Sequence, residues 1–166
     1  LWDAGLGGVL ADDMGLGKTL QTLALLERAR EAGELDGRPV LVVAPASVVG
    51  TWVDEAARFA PELRVAAITA TGKRRGEDVA AAVAGAHVVV TSYTLMRLED
   101  AEYRALPWSG LILDEAQFVK NHRSRTYQAA RRMGAPFTLA ITGTPLENSL
   151  MDLWSMLSLS APGLLP

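Results

Sequence analysis

Apolar residues run along the chain in two rhythms. Six short, continuously aliphatic or β-branched runs, at 8–11, 40–44, 65–69, 87–91, 111–113 and 137–141, have the make-up of strands buried on both faces. Between them apolar positions recur at three and four: Leu20, Leu23 and Leu26; then Val49, Trp52, Val53, Ala56 and Ala60; and near the end Leu150, Leu153, Trp154 and Leu157. That spacing lays one buried stripe along each of three helices. The second helix stops at Pro61, which cannot continue it, and the third starts after Ser149, an N-cap hydroxyl with Asp152 three residues on. Tryptophans on these stripes are read as core. Loops are expected at 33–39, 71–76 and 134–136, where glycine and proline cluster.

Strands alternating with helices predict a mainly parallel sheet covered on both sides, a three-layer α/β/α fold. The chain's 166 residues suffice for one such domain with a real core. Open sheets of this kind bind ligands beyond the carboxyl ends of their strands, so the residues just after each apolar run are the ones to read for chemistry.

Composition narrows that chemistry. With 49% apolar and 21% charged residues the chain is globular. It has neither an apolar run of membrane-spanning length nor the layout of a signal peptide, so a soluble, cytoplasmic protein without a membrane partner is expected. The absence of cysteine excludes disulfides and thiolate metal sites, and His87 and His122 are too far apart to form a local ligand pair. Any metal must be held by oxygen atoms. The net charge of -3 gives no overall basic footprint, but the charge is uneven. Lys120, Arg123, Arg125, Arg131 and Arg132 follow one another with no acidic residue between them, and Lys73, Arg74 and Arg75 form a second knot. Each cluster is either a solvated face or a track for nucleic-acid phosphates.

Gly15-Leu16-Gly17-Lys18-Thr19 follows the first predicted strand and opens a helix, the setting that a phosphate-binding loop needs. Glycines let successive N–H groups turn toward one anion, and the helix N-terminus adds its positive end. Lys18 would reach the β- and γ-phosphates and Thr19 would ligate magnesium. The strict pattern asks for glycine where Asp12 stands. Downstream, the run 111–113 ends in Asp114 and Glu115, with Ala116 and Gln117 next. Asp114 suits the outer sphere of a magnesium ion, and Glu115 could orient and deprotonate an attacking water. Thr142, Gly143 and Thr144 follow the last predicted strand. Pro45 and Ser47, and likewise Ser92, stand at two further strand ends, where hydroxyls either bind phosphates or cap helices.

Taken in order, LADDMGLGKTLQT, VLVVAPASVVGTW, VVVTSYTLM, LILDEAQFVKN and ITGTPLENSLMDLWS resemble motifs I, Ia, Ib, II and III of the Swi/Snf-type branch of superfamily 2 helicase-like ATPases. The resemblance covers nearly the whole chain. It implies a RecA-like P-loop NTPase lobe occupying 1–166, which binds ATP with magnesium and moves along double-stranded DNA. In that family the position of Asp12 is commonly acidic. The resemblance further implies that Asp13, Met14, Gly15, Leu16, Gly17, Lys18, Thr19 and Leu20 surround the nucleotide and that Thr19 and Asp114 hold the metal. Lys18, Asp114, Glu115 and Gln117 would carry the reaction, with Gln117 linking the γ-phosphate to the coupling segment Thr142, Gly143 and Thr144. Pro45, Ser47, Ser92, Lys120, Asn121 and Arg123 would lie along DNA. A second RecA-like lobe, which supplies arginine fingers in the family, has no counterpart in this sequence, so the isolated chain is expected to bind nucleotide but scarcely to hydrolyse it. A nucleotide-dependent scaffold without turnover is the alternative, and the intact Lys18, Thr19, Asp114 and Glu115 argue against it.

Overall fold

The computed structural model describes residues 8–11, 16–119 and 125–142. Its strands are β1 (Gly8–Ala11), β2 (Val40–Ala44), β3 (Val65–Ala67), β4 (Val88–Ser92), β5 (Gly110–Leu113) and β6 (Thr138–Thr142). They form one sheet in the order β1-β6-β5-β2-β4-β3, with every neighbouring pair parallel. The helices are α1 (Leu16–Glu31), α2 (Ala46–Phe59), α3 (Gly72–Arg75), α4 (Val79–Ala82), α5 (Tyr93–Leu98), α6 (Asp100–Arg104) and α7 (Arg125–Arg132), and a 3-10 turn spans Ala116–Val119. The expected α/β/α fold is what the chain adopts.

Burial explains why continuous apolar runs make these strands. β2, β4, β5 and β6 are buried at every residue, and alternate side chains feed two separate cores. Val40, Val42, Val88, Val90, Ile112, Leu139 and Ile141 meet Leu23 and Leu26 of α1 and Val49, Trp52 and Ala56 of α2. Leu41, Val43, Val89, Leu111, Leu113 and Ala140 meet Met96 of α5, Tyr103 of α6, and Ala129 and Ala130 of α7. The α2 stripe is buried as its spacing requires, except that Val53 is only half-buried. Both tryptophans among the described residues, Trp52 and Trp108, lie in these cores. The terminal helix expected from Leu150 to Leu157 lies outside the described residues.

The bounds of four strands differ from expectation by one or two residues, and β5 starts one residue early, at Gly110. β3, at one edge of the sheet, ends at Ala67 rather than 69, and Ile68, whose N–H donates to the Val90 carbonyl, prolongs the pairing by one bond. β4 runs over Val88–Ser92, one residue later than expected, and the buried ring of His87 just before it accepts the Arg64 N–H through Nδ1 at 2.9 Å. β6 is shifted one residue forward, to 138–142. The expected loop at 71–76 contains the one-turn helix α3, closed by Gly76 at φ +79°. A distant carboxylate builds it. Glu99 accepts the Gly72 N–H at 2.8 Å and the Arg75 guanidinium at 2.9 Å. Arg75 is thereby taken out of the second basic knot, leaving Lys73 and Arg74 beside it.

His87 also gives the fold a pH dependence. Burial holds its imidazole below the ordinary value, and the nearby Arg64 and Arg30 charges push the same way. The unfolded chain therefore takes up a proton near pH 6.5 that the folded chain refuses. Above that pH the two states bind equally many protons at this site. As pH falls from 6.5 toward the depressed folded value, stability should decline. Denaturant midpoints measured from pH 8 to 5 check this: His87→Asn should flatten the decline between pH 6.5 and the onset of carboxylate titration, and an unchanged profile would remove His87 as its source.

A nucleotide-site candidate at the strand ends

The carboxyl ends of β1, β6, β5 and β2 lie side by side, and the polar residues that follow them share one edge. α1 opens from this edge at Leu16, with Gly17, Lys18 and Thr19 in its first turn. Lys18 is buried to 4% exposure, which is uncommon for a lysine. Its carbonyl accepts the Thr22 hydroxyl at 2.8 Å. Thr19 is half-buried and Leu20 is 42% exposed. A Cβ on Gly17 would meet no atom within 4 Å, so the space over this backbone is not filled by the described protein. Asp13, Met14 and Gly15 lie outside the described residues, as do Gly143, Thr144, Lys120, Asn121 and Arg123.

Asp114, at the end of β5, is fixed from four directions. Its N–H donates to the Val43 carbonyl at 2.8 Å, extending the ladder to β2. Its own carbonyl accepts the Tyr93 hydroxyl at 2.6 Å. In its carboxylate, Oδ1 accepts the Glu115 N–H at 2.9 Å, and Oδ2 accepts the indole N–H of Trp52 at 2.7 Å. Burial pushes this carboxyl above its ordinary value; the two N–H donors and the charge of Lys18 offset part of the rise. The parallel order of the sheet brings the first motif, after β1, and the second, after β5, to the same edge.

Glu115 leaves the strand with φ +50°, the only positive φ outside glycine among the described residues. The left-handed conformation is uncommon for glutamate and marks a position under constraint. Asp114 and Glu115 stand at a turn rather than within the strand, since β5 ends at Leu113. Glu115 Oε2 accepts the Gln117 amide at 2.6 Å, and Gln117 Oε1 accepts the Thr142 hydroxyl at 3.0 Å. The second and third strand-end segments are thus joined through one amide.

The other strand ends divide. Ser92 is buried and caps α5, its hydroxyl accepting the Leu95 N–H at 3.1 Å. Of the two roles open to a strand-end hydroxyl it takes the cap, and its burial removes it from a surface that a nucleic acid could touch. Pro45 is the N-cap residue of α2, and Ser47 is exposed in that helix's first turn. Arg132 is not free of acidic partners: its guanidinium pairs with Asp100 of α6 at 2.9 Å. Arg125 instead faces a cleft of about 360 Å³ lined also by Tyr93, Thr94, Arg97 and Thr126. Arg97 carried no sequence signal. Nor did the hydrogen bond of Trp52, whose place on an apolar stripe gave only its burial.

An edge of this kind is the working end of a RecA-like nucleotide-binding lobe. The SNF2-related domain matches residues 1–166, and the chain belongs to that family. It is 40% identical over 165 residues to a candidate ATP-dependent helicase/translocase of Bacillus subtilis, YwqA, covering 99% of this chain and 18% of the relative. It is 40% identical over 166 residues to the ISWI chromatin-remodeling complex ATPase CHR11 of Arabidopsis thaliana, covering 98% of this chain and 15% of that one. Among solved structures, the SWI2/SNF2 ATPase core of Sulfolobus solfataricus in complex with double-stranded DNA superposes with a TM-score of 0.81 at 36% identity, over 98% of this chain and 33% of that one. The chain therefore spans a small part of the relatives that it matches. Among the described residues no helix is long and apolar enough to cross a membrane.

Proposed function

We propose that residues 1–166 form the ATP-binding lobe of a DNA-dependent ATPase that couples hydrolysis to movement on double-stranded DNA. The observation that carries this reading is the gathering at one sheet edge of buried Lys18, in the first turn of α1, and buried Asp114, just after β5. The donor set is all oxygen, with the Thr19 hydroxyl and the Asp114 carboxylate at the same edge, near a Gly17 over which no described atom lies within 4 Å of an added Cβ, which fits a hard divalent cation such as magnesium. Bound there, the ion would neutralise charge on the phosphates. Lys18 would bind the phosphate tail, and Asp114 would orient toward the metal. Glu115 would hold the attacking water and take its proton, while Gln117 would carry the state of the phosphate end to Thr142 through the bond already formed. Thr144 and Gly143 would complete that coupling segment. A second lobe in the full-length protein would face the same edge and supply the arginine that stabilises the transferring phosphoryl group.

The cleft between Arg97 and Arg125 supports the DNA half of the reading. It adjoins in sequence the segment carrying Lys120, Asn121 and Arg123, and it sets two guanidiniums beside the hydroxyl side chains of Thr94 and Thr126. Such a surface holds phosphates without reading bases. The solved Swi2/Snf2 core that this chain resembles is one in complex with double-stranded DNA. In the full-length protein, ATPase activity should rise on adding duplex DNA, and an activity indifferent to DNA would favour the scaffold reading. Arg97→Ala together with Arg125→Ala should weaken binding similarly on unrelated sequences and reduce the slope of log affinity against log salt by about 1 for each phosphate no longer neutralised. An unchanged slope would return both arginines to a solvated face.

A further inference from the structure

Trp52 sits two turns into α2 on a stripe that packs against the sheet, and burial alone would account for its presence. Its polar end asks for more. A buried indole N–H needs an acceptor, and here the acceptor is the Asp114 carboxylate, 62 residues away in sequence. At 2.7 Å the bond has the length of a charge-assisted hydrogen bond.

The remaining partners of Asp114 show what this bond controls. The backbone is fixed independently, by the Val43 carbonyl and the Tyr93 hydroxyl. What is left is rotation of the carboxylate about its own axis. Oδ1 is tied to the adjacent N–H of Glu115 and Oδ2 to Trp52, so the plane of the group cannot turn without breaking one of the two. Each carboxylate oxygen offers about two acceptor directions, which leaves capacity on both oxygens for a metal ion or its water. The donor comes from α2, the helix that begins directly after Pro45 at the end of β2. From Pro45 to Trp52 the rise is roughly 10 Å of continuous helix, a stiff link between that strand end and the carboxylate.

We propose that Trp52 is a positioning residue: its indole N–H sets the orientation in which Asp114 receives the divalent cation, in addition to filling the core. The proposal rests on the reading of Asp114 as a metal-holding group. Partners that orient a metal-binding side chain typically contribute about 10- to 100-fold to metal affinity. Because Glu115 still holds Oδ1 when Trp52 is altered, the lower end is expected.

The test uses the full-length protein with manganese as the probe, following bound Mn²⁺ by electron paramagnetic resonance in the presence of ADP. Trp52→Phe removes the donor and keeps an aromatic ring; it should weaken Mn²⁺ binding about tenfold, while ADP binding without metal stays at the parent value. Asp114→Asn should weaken Mn²⁺ binding at least as much, and adding Trp52→Phe to it should cause no further weakening. Parent-like Mn²⁺ affinity in Trp52→Phe beside a weakened Asp114→Asn would overturn the positioning role and leave the metal site standing. Parent-like affinity in both variants would overturn the metal reading itself. Should phenylalanine fail to support folding, benzothienylalanine at position 52 replaces the N–H by sulfur at nearly constant shape, and the same two results decide.

Discussion

Glu115→Gln in the full-length protein is expected to lower DNA-stimulated turnover by about 10²- to 10⁴-fold, the range typical of removing a positioned general base, and to leave ATP binding close to that of the parent. The substitution preserves shape and removes basicity. Its amide oxygen can still accept the hydrogen bond that Gln117 now gives to Oε2, so the link onward to Thr142 survives. Glu115 owes its direction to the positive φ at the strand end, and that backbone feature is equally open to glutamine. Binding should therefore separate from chemistry. Single-turnover hydrolysis and nucleotide titration on the same preparation check this. Turnover within about tenfold of the parent would assign the proton transfer elsewhere, since so small a drop lies below what a general base contributes.

The sheet was legible in the sequence because four of its strands are buried on both faces and so read as unbroken apolar runs. Their ends were less so. The partner of the His87 ring, the Arg64 N–H, belongs to a different strand connection and left no local trace. The short helix at 72–75 had no signal of its own, because the carboxylate that organises it, Glu99, comes from beyond the next strand.

The candidate site divides along the same line. Lys18, Thr19, Asp114, Glu115, Gln117 and Thr142 stand at strand ends in recognisable local patterns, and the fold brings them to one edge. Interactions made across the sheet were invisible. The stretch from Lys120 to Arg132 looked free of acidic neighbours because Asp100, which pairs with Arg132, is 32 residues away. The bond from Trp52 to Asp114 required knowing that β2 and β5 are adjacent and in which register. Given that adjacency, the two-residue alternation that puts Ile112 in the core beneath α1 and α2 also points Asp114 to the same side.

The account stands most directly on the phosphate site, and the measurement that tests it is a titration of the full-length protein and its Lys18→Ala variant with ATP and magnesium. A lysine held at 4% exposure in the first turn of a helix that opens from a strand end is placed to meet an anion where the helix terminus already favours one. Removing one charge-assisted hydrogen bond to phosphate should weaken binding at least about tenfold, or about 1.4 kcal/mol. Thermal unfolding without nucleotide, run alongside, shows that both proteins are folded at the titration temperature. Weakened binding by folded Lys18→Ala is the predicted result. Equal affinity in the two proteins would contradict it and would take the nucleotide away from this edge of the sheet.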